Sequence, residues 1–183
     1  MHVQVFFDEQ NLSISAKKLG YRLDYERLTS LIRSQARLAD LHIFVASEDP
    51  RLKSRHWLTR FGHAVHVKTI RTLRRCGQLR RDCNIDNLFA FWVGRCVTAR
   101  LHEVIVLGSG DYGLSGELAA EITARGARTR VMTLSLPGST ARDLDARRNP
   151  NIAANLVIGM DVLKPRFVHA SCPHPAALSH KVA

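Results

Sequence analysis

The stretch EVIVLGSGDYGLSGELAAEI, residues 103–122, decides how the rest of the chain is read. Its apolar start, EVIVL, reads as a buried strand. Residues 112–125 read as a helix stopped by Gly126, a residue suited to the position just past a helix end. Between them Gly108, Gly110 and Gly113 spell G-x-G-x-x-G, the turn that brings a dinucleotide pyrophosphate to a helix N-terminus. Asp111 stands inside that turn, where its charge opposes a pyrophosphate. A dinucleotide site also wants an acidic residue about 20 positions on, at the end of the next strand, for the ribose hydroxyls. None lies between Met132 and Arg142. The glycines then act as steric relief around Asp111, and a nicotinamide-dependent oxidoreductase is the disfavoured reading.

Working outward, strand-like runs alternate with helical patterns. VQVFF (3–7) ends in Asp8, and residues 24–38 place Leu28, Leu31, Ile32 and Leu38 near helical spacing. LHIFVA (41–46) reads as a second strand. A basic helix is expected over 50–61, with Pro50 in its first turn. AVHVKTI (64–70) is strand-like and leads into an arginine-rich connection. Ile85, Leu88, Phe89, Trp92 and Cys96 form the apolar face of a helix over 85–96, with Trp92 assigned to the core. RTRVMTL (128–134) is the next strand, and 152–163 holds one more element. This alternation predicts an α/β fold in three αβα layers, Rossmann-like, around a mainly parallel central sheet. One domain is expected over 1–168, with a poorly ordered tail at 169–183.

Composition narrows the partners. Lys and Arg number 27 against 16 Asp and Glu, a formal net charge of +11, which favours polyanions and nucleic acid first among them. The four cysteines, Cys76, Cys83, Cys96 and Cys172, form no C-x-x-C, and a chain this long needs no disulfides. MHVQVFFDEQ shows no basic leader with an apolar run behind it, and no stretch reaches membrane-spanning length. A cytoplasmic protein without a membrane partner is therefore expected.

Two strands end in an aspartate, Asp8 and Asp111, and Asp86 opens the helix at 85–96. In open parallel sheets, ligand groups gather beyond the carboxyl ends of the strands. Three converging carboxylates repel one another unless a cation lies between them, and hard oxygen donors suit Mg²⁺ or Mn²⁺. Each aspartate alone serves equally well as a helix N-cap. From Arg51 to Arg81 the chain has ten Lys or Arg and no acid, densest in KTIRTLRRCGQLRR (68–81). Lys68, Arg71, Arg74, Arg75, Arg80 and Arg81 are candidates to grip a phosphate backbone, against the alternative of a solvated basic face. His63 and His66, three apart on a strand, point to opposite faces and make no ligand pair.

With those residues in place, the chain resembles a NYN domain, a branch of the PIN-like nucleases with a Rossmann-like sheet. The matching pieces are FFDEQNL (6–12), RDCNIDNLFAFW (81–92) and VLGSGDYG (106–113), followed by ELAAEITARGARTRVM (117–132). They span about residues 3–134 in family order. The resemblance implies metal-dependent hydrolysis of RNA, or of DNA, with Asp8, Asp86 and Asp111 as catalytic metal ligands for Mg²⁺ or Mn²⁺. It also implies Asn11 and Ser109 as residues that position ligands or substrate. Two positions depart from the family pattern S-G-D-x-D-F and its acidic middle helix: Gly113 replaces the second acid, and 88–102 contains no Asp or Glu. Glu9 and Glu117 are the nearest substitutes. The expectation is an endoribonuclease, with a binding module that has lost efficient cleavage as the alternative. A homodimer through an exposed strand or the 140–168 region is also compatible with the sequence.

Overall fold

The computed structural model describes residues 2–49, 58–75, 78–83, 85–99, 103–126 and 128–165, with residues 73–82 and 112 described by their backbone. The expected tail and most of the expected helix over 50–61 fall outside these residues. In chain order the elements are β1 (His2–Asp8), α1 (Glu9–Lys18), β2 (Tyr21–Leu23), α2 (Tyr25–Gln35), β3 (Leu38–Ser47) and β4 (His63–Thr69). Then come β5 (Arg71–Arg75), β6 (Gln78–Asp82), α3 (Ile85–Ala99), β7 (Val104–Gly108), α4 (Tyr112–Ala124), β8 (Arg130–Ser135), β9 (Ala154–Val157) and β10 (Leu163–Pro165).

Six strands form one sheet in the order β4-β3-β1-β7-β8-β9, and every neighbouring pair is parallel. β1 is buried on both faces because both faces are covered. Val3, Val5 and Phe7 join Leu12 and Ala16 of α1 and Leu28 of α2 in one core. Phe6 joins Phe44, Phe89 and Val93, with Leu114 and Ile122 of α4, in the other. The result is the expected three-layer α/β, PIN-like arrangement. Chain order runs outward from β1 in opposite directions, through β3 and β4 on one side and β7 to β9 on the other. The switch point between β1 and β7 therefore opens a crevice at the carboxyl edge, where Asp8 and the 108–111 turn lie side by side.

Four local features differ from the sequence reading. α2 ends at Gln35, because Ala36 is already extended (φ −130°, ψ 135°) and Leu38 opens β3 opposite His2. Leu38 shares helical spacing with Leu28 but belongs to the next strand. α1 shows little apolar periodicity, since its buried residues are Leu12 and Ala16. The arginine-rich connection is a two-stranded antiparallel ribbon, β5 with β6, in which Thr72 faces Arg81 and Arg74 faces Leu79. The element expected over 152–163 resolves into β9 and a 3₁₀ turn at Met160–Val162, ahead of β10, which pairs with β2.

Candidate active site

Asp8 is the last residue of β1 and the N-cap of α1, its Oδ1 accepting the Asn11 N–H at 3.1 Å. It follows Gln4 and Phe6 on the alternating face that α3 covers. At 8% exposure it is nearly buried. Burial pushes the Asp8 carboxyl above its ordinary value, the Asn11 N–H pulls it down, and the charges of Asp86, Glu9 and Asp111 push it up again. The three aspartates singled out in the sequence thus share one electrostatic neighbourhood at the switch point. Asp86 is exposed in the first turn of α3, and Asp111 is exposed at the start of α4.

Asp111 caps α4 through Oδ1, which accepts the Gly113 N–H at 3.0 Å. The capping reading therefore holds for Asp8 and Asp111, and it uses one oxygen of each. Asp8 Oδ2 and Asp111 Oδ2 have no hydrogen-bond partner among the described residues. Asn11 reaches across the switch point, its Oδ1 accepting the Gly110 N–H at 3.0 Å. Ser109, fully buried, accepts the Asp111 N–H on its Oγ at 3.3 Å. Both residues hold the turn that carries Asp111.

A third segment, which the sequence reading passed over, completes this edge. After β8, Ser139 folds back so that its N–H reaches the Leu136 carbonyl at 3.0 Å. The Ser139 carbonyl then presses against Gly110 where a Cβ would otherwise sit, and the Ala141 N–H donates to the Gly110 carbonyl at 3.1 Å. The space that a pyrophosphate would need beside Gly110 is filled by protein backbone. The available signal was positional: L-P-G-S-T (136–140) follows the carboxyl end of a strand next to β7.

Glu9 is turned into its own helix, accepting from the Ser13 hydroxyl at 2.7 Å and the Tyr25 hydroxyl at 3.4 Å. Glu117 is exposed on α4. Among the described residues, no three His, Cys, Asp or Glu side chains stand close enough together to hold a metal ion. The donor set of free carboxylate oxygens is chemically right for a hard divalent cation, but its spacing is looser than a coordination shell.

Lys68 at the end of β4 and Arg71 at the start of β5 are exposed. Arg74 and Arg75 lie on β5, and Arg80 and Arg81 on β6, whose last residue is three positions before α3. The basic ribbon is thus attached directly to the helix that carries Asp86. His63 and His66 face opposite sides of β4, as their spacing requires. His63 is buried against Thr29, with burial first and Arg33 second holding its pKa down to about 4, while His66 stacks on Phe44.

The sequence profile of the NYN domain matches residues 2–151. The chain belongs to the NYN domain family. This is a PIN-like nuclease family whose members act on nucleic acid and generally use divalent metals. No curated protein matches the chain. A crystal structure of a protein of unknown function from Vibrio parahaemolyticus superposes with a TM-score of 0.69 at 20% identity, covering 89% of this chain and 96% of that one. That likeness shows a shared fold. Among the described residues of this NYN domain, no helix is long and apolar enough to cross a membrane.

Proposed function

We propose that this NYN domain hydrolyses phosphodiester bonds of RNA, using Mg²⁺ or Mn²⁺ bound by Asp8, Asp86 and Asp111. The observation that carries the reading is the crowding of acidic charge around the nearly buried Asp8 carboxyl at the sheet's switch point. Folded chains tolerate such crowding where a cation relieves it. A bound divalent ion would supply a water of lowered pKa and would offset charge on the phosphate. Asp8 and Asp111 each keep one oxygen on a helix N–H and present the other, so their orientation is set before any ligand arrives. Asn11 and Ser109 hold the Gly110–Asp111 backbone against that edge. Lys68, Arg71, Arg74, Arg75, Arg80 and Arg81 draw the phosphate chain toward Asp86. The reading places the protein in the cytoplasm, where thiols such as Cys83 and Cys96 stay reduced.

A second reading, a nucleic-acid-binding module without efficient turnover, is favoured by Gly113 in place of an acid and by the loose carboxylate spacing. The two separate on cleavage of a labelled single-stranded RNA in Mn²⁺, Mg²⁺ or EDTA by wild type, Asp111→Asn and Asp86→Asn. Among the described residues Asp86 caps no helix, so its substitution leaves the fold least disturbed. Metal-dependent cutting that either substitution lowers about a hundredfold or more supports the nuclease. Salt-sensitive binding with no cutting in any buffer supports the binding module.

A further inference from the structure

Helix α3 presents to solvent a face that the carboxylate site does not use. Phe91 is 59% exposed in mid-helix. Its ring meets the half-buried indole of Trp92 edge-on, with centroids 6.3 Å apart at 86°. The Arg95 guanidinium lies over both rings, 4.8 Å from the Trp92 centroid and 5.9 Å from that of Phe91. Trp92 is braced from beneath by His66 of β4 at 4.4 Å and His42 of β3 at 5.9 Å. Those imidazoles stack in turn on Phe44 at 4.6 Å and Phe6 at 4.9 Å. The aromatic surface therefore rests on the packed core rather than on a loose side chain.

A single exposed phenylalanine is ordinary on a protein surface, and Trp92 alone is explained by packing. Arg95 is not explained that way. Among the described residues it pairs with no carboxylate, and α3 carries no acid from Asn87 to Ala99. A guanidinium kept over aromatic rings and left without an anion suits a ligand that offers both a flat π-face and a phosphate. The position fits as well. Trp92 touches β4, the strand that leads into the basic ribbon, so the aromatic surface and the ribbon are joined through one strand. Phe91 is five residues beyond Asp86, about 7.5 Å along the helix axis. That is within the span of a few nucleotides.

We propose that Phe91, Trp92 and Arg95 form a stacking subsite for single-stranded RNA, a base lying against Phe91 and the adjoining phosphate meeting Arg95. The bases of a duplex are already stacked on their neighbours and its major groove is closed to side chains, so the subsite selects single strands. The proposal rests on the nuclease reading only for where the scissile bond lies.

The test is fluorescence anisotropy of labelled oligouridine in EDTA, where nothing is cut, against the same strand paired with oligoadenine. Wild type binds the single strand more tightly. Phe91→Ala weakens that binding roughly tenfold while leaving the salt slope unchanged, and Phe91→Tyr restores it. Lys68→Ala weakens single strand and duplex alike and lowers the salt slope. Melting curves confirm that these exposed substitutions leave the fold intact. Unchanged single-strand binding by Phe91→Ala, or a wild-type preference for duplex, overturns the subsite. Tighter binding of the matching single-stranded DNA through Phe91 overturns the choice of RNA. A protein that never cuts but loses binding with Phe91→Ala upholds the subsite and sinks the nuclease reading. One that cuts and binds normally as Phe91→Ala does the reverse.

Discussion

At the corner between β1 and α1 the chain passes from strand to helix with no loop, and Asp8 is both the last strand residue and the cap. At the corner between β7 and α4, Ser109, Gly110 and Asp111 intervene before the helix begins. The first corner is held by burial. The second is held by hydrogen bonds, two of its supports coming from outside it: the Asn11 amide and the 139–141 backbone. Two aspartates that both cap a helix, Asp8 through the N–H three residues on and Asp111 through the N–H two residues on, thus differ in what fixes them. Asp8 is set by the core and carries the electrostatic strain, whereas Asp111 is set by neighbours that pack onto its loop.

The difference can be broken at its weakest geometric point. Gly110→Ala drives a methyl group into the Ser139 carbonyl, and neither backbone can yield cheaply. A loss of about 3 kcal/mol is expected, measured by urea unfolding. A near-neutral result would mean that the 139–141 segment does not press on this loop. Asn11→Ala removes the acceptor for the buried Gly110 N–H and should cost about 1–2 kcal/mol. Because Asp8 takes only the Asn11 main-chain N–H, the first corner keeps its cap. Slower amide exchange at position 11 than at Gly113 in this variant would sharpen the comparison, and equal exchange would erase it.

The smallest effect has the opposite sign. The folded chain holds the Asp8 proton to higher pH than the unfolded chain, because burial and then neighbouring acids raise its pKa. The charge therefore costs stability at neutral pH. That cost is absent below the unfolded value and complete above the folded one. Asp8→Asn keeps a capping oxygen and should slightly raise the melting temperature at pH 7, with the advantage vanishing on acidification. Mn²⁺ should narrow the gap by stabilising wild type alone. A lower melting temperature for the variant at pH 7 would show that the charged carboxylate already has a stabilising partner.

Much of this architecture was legible from residue order. An apolar run ending in Asp marks a strand delivering its last side chain to the sheet edge, and β1 obeys that rule. In β7 the run closes on Gly108, and its aspartate comes three residues later. Gly126, at φ 65°, ends the helix after Asp111 as its position suggested. What was illegible depended on backbone rather than side-chain type. Ser139 touches the site through its carbonyl, a group every residue owns, so no residue choice betrays it. The α1 helix buries little, leaving its apolar period too sparse to read. In the ribbon, Arg71, Thr72, Leu73, Arg74 and Arg75 are followed by Gln78 to Asp82 without the apolar alternation that marks a strand in the sequence. The sharing of one neighbourhood by Asp8, Asp86 and Asp111 followed from the resemblance and the switch-point rule, whereas the looser spacing of their carboxylates did not.

The place of β1 between β3 and β7 has a consequence for biosynthesis. Of the six strands in this sheet, the first in chain order is a central one. It gains β3 as a neighbour early, but its other edge waits until Val104–Gly108 has left the ribosome. During that interval Val3, Val5 and Phe7 line an open, apolar edge, the kind that pairs with other chains. The same delay keeps the acidic edge incomplete, since Asp111 is the last of the three aspartates to be synthesised. A nascent chain therefore passes through a stage with an open sheet edge before all three aspartates are made, and the arrival of β7 with the turn that follows it ends both conditions together.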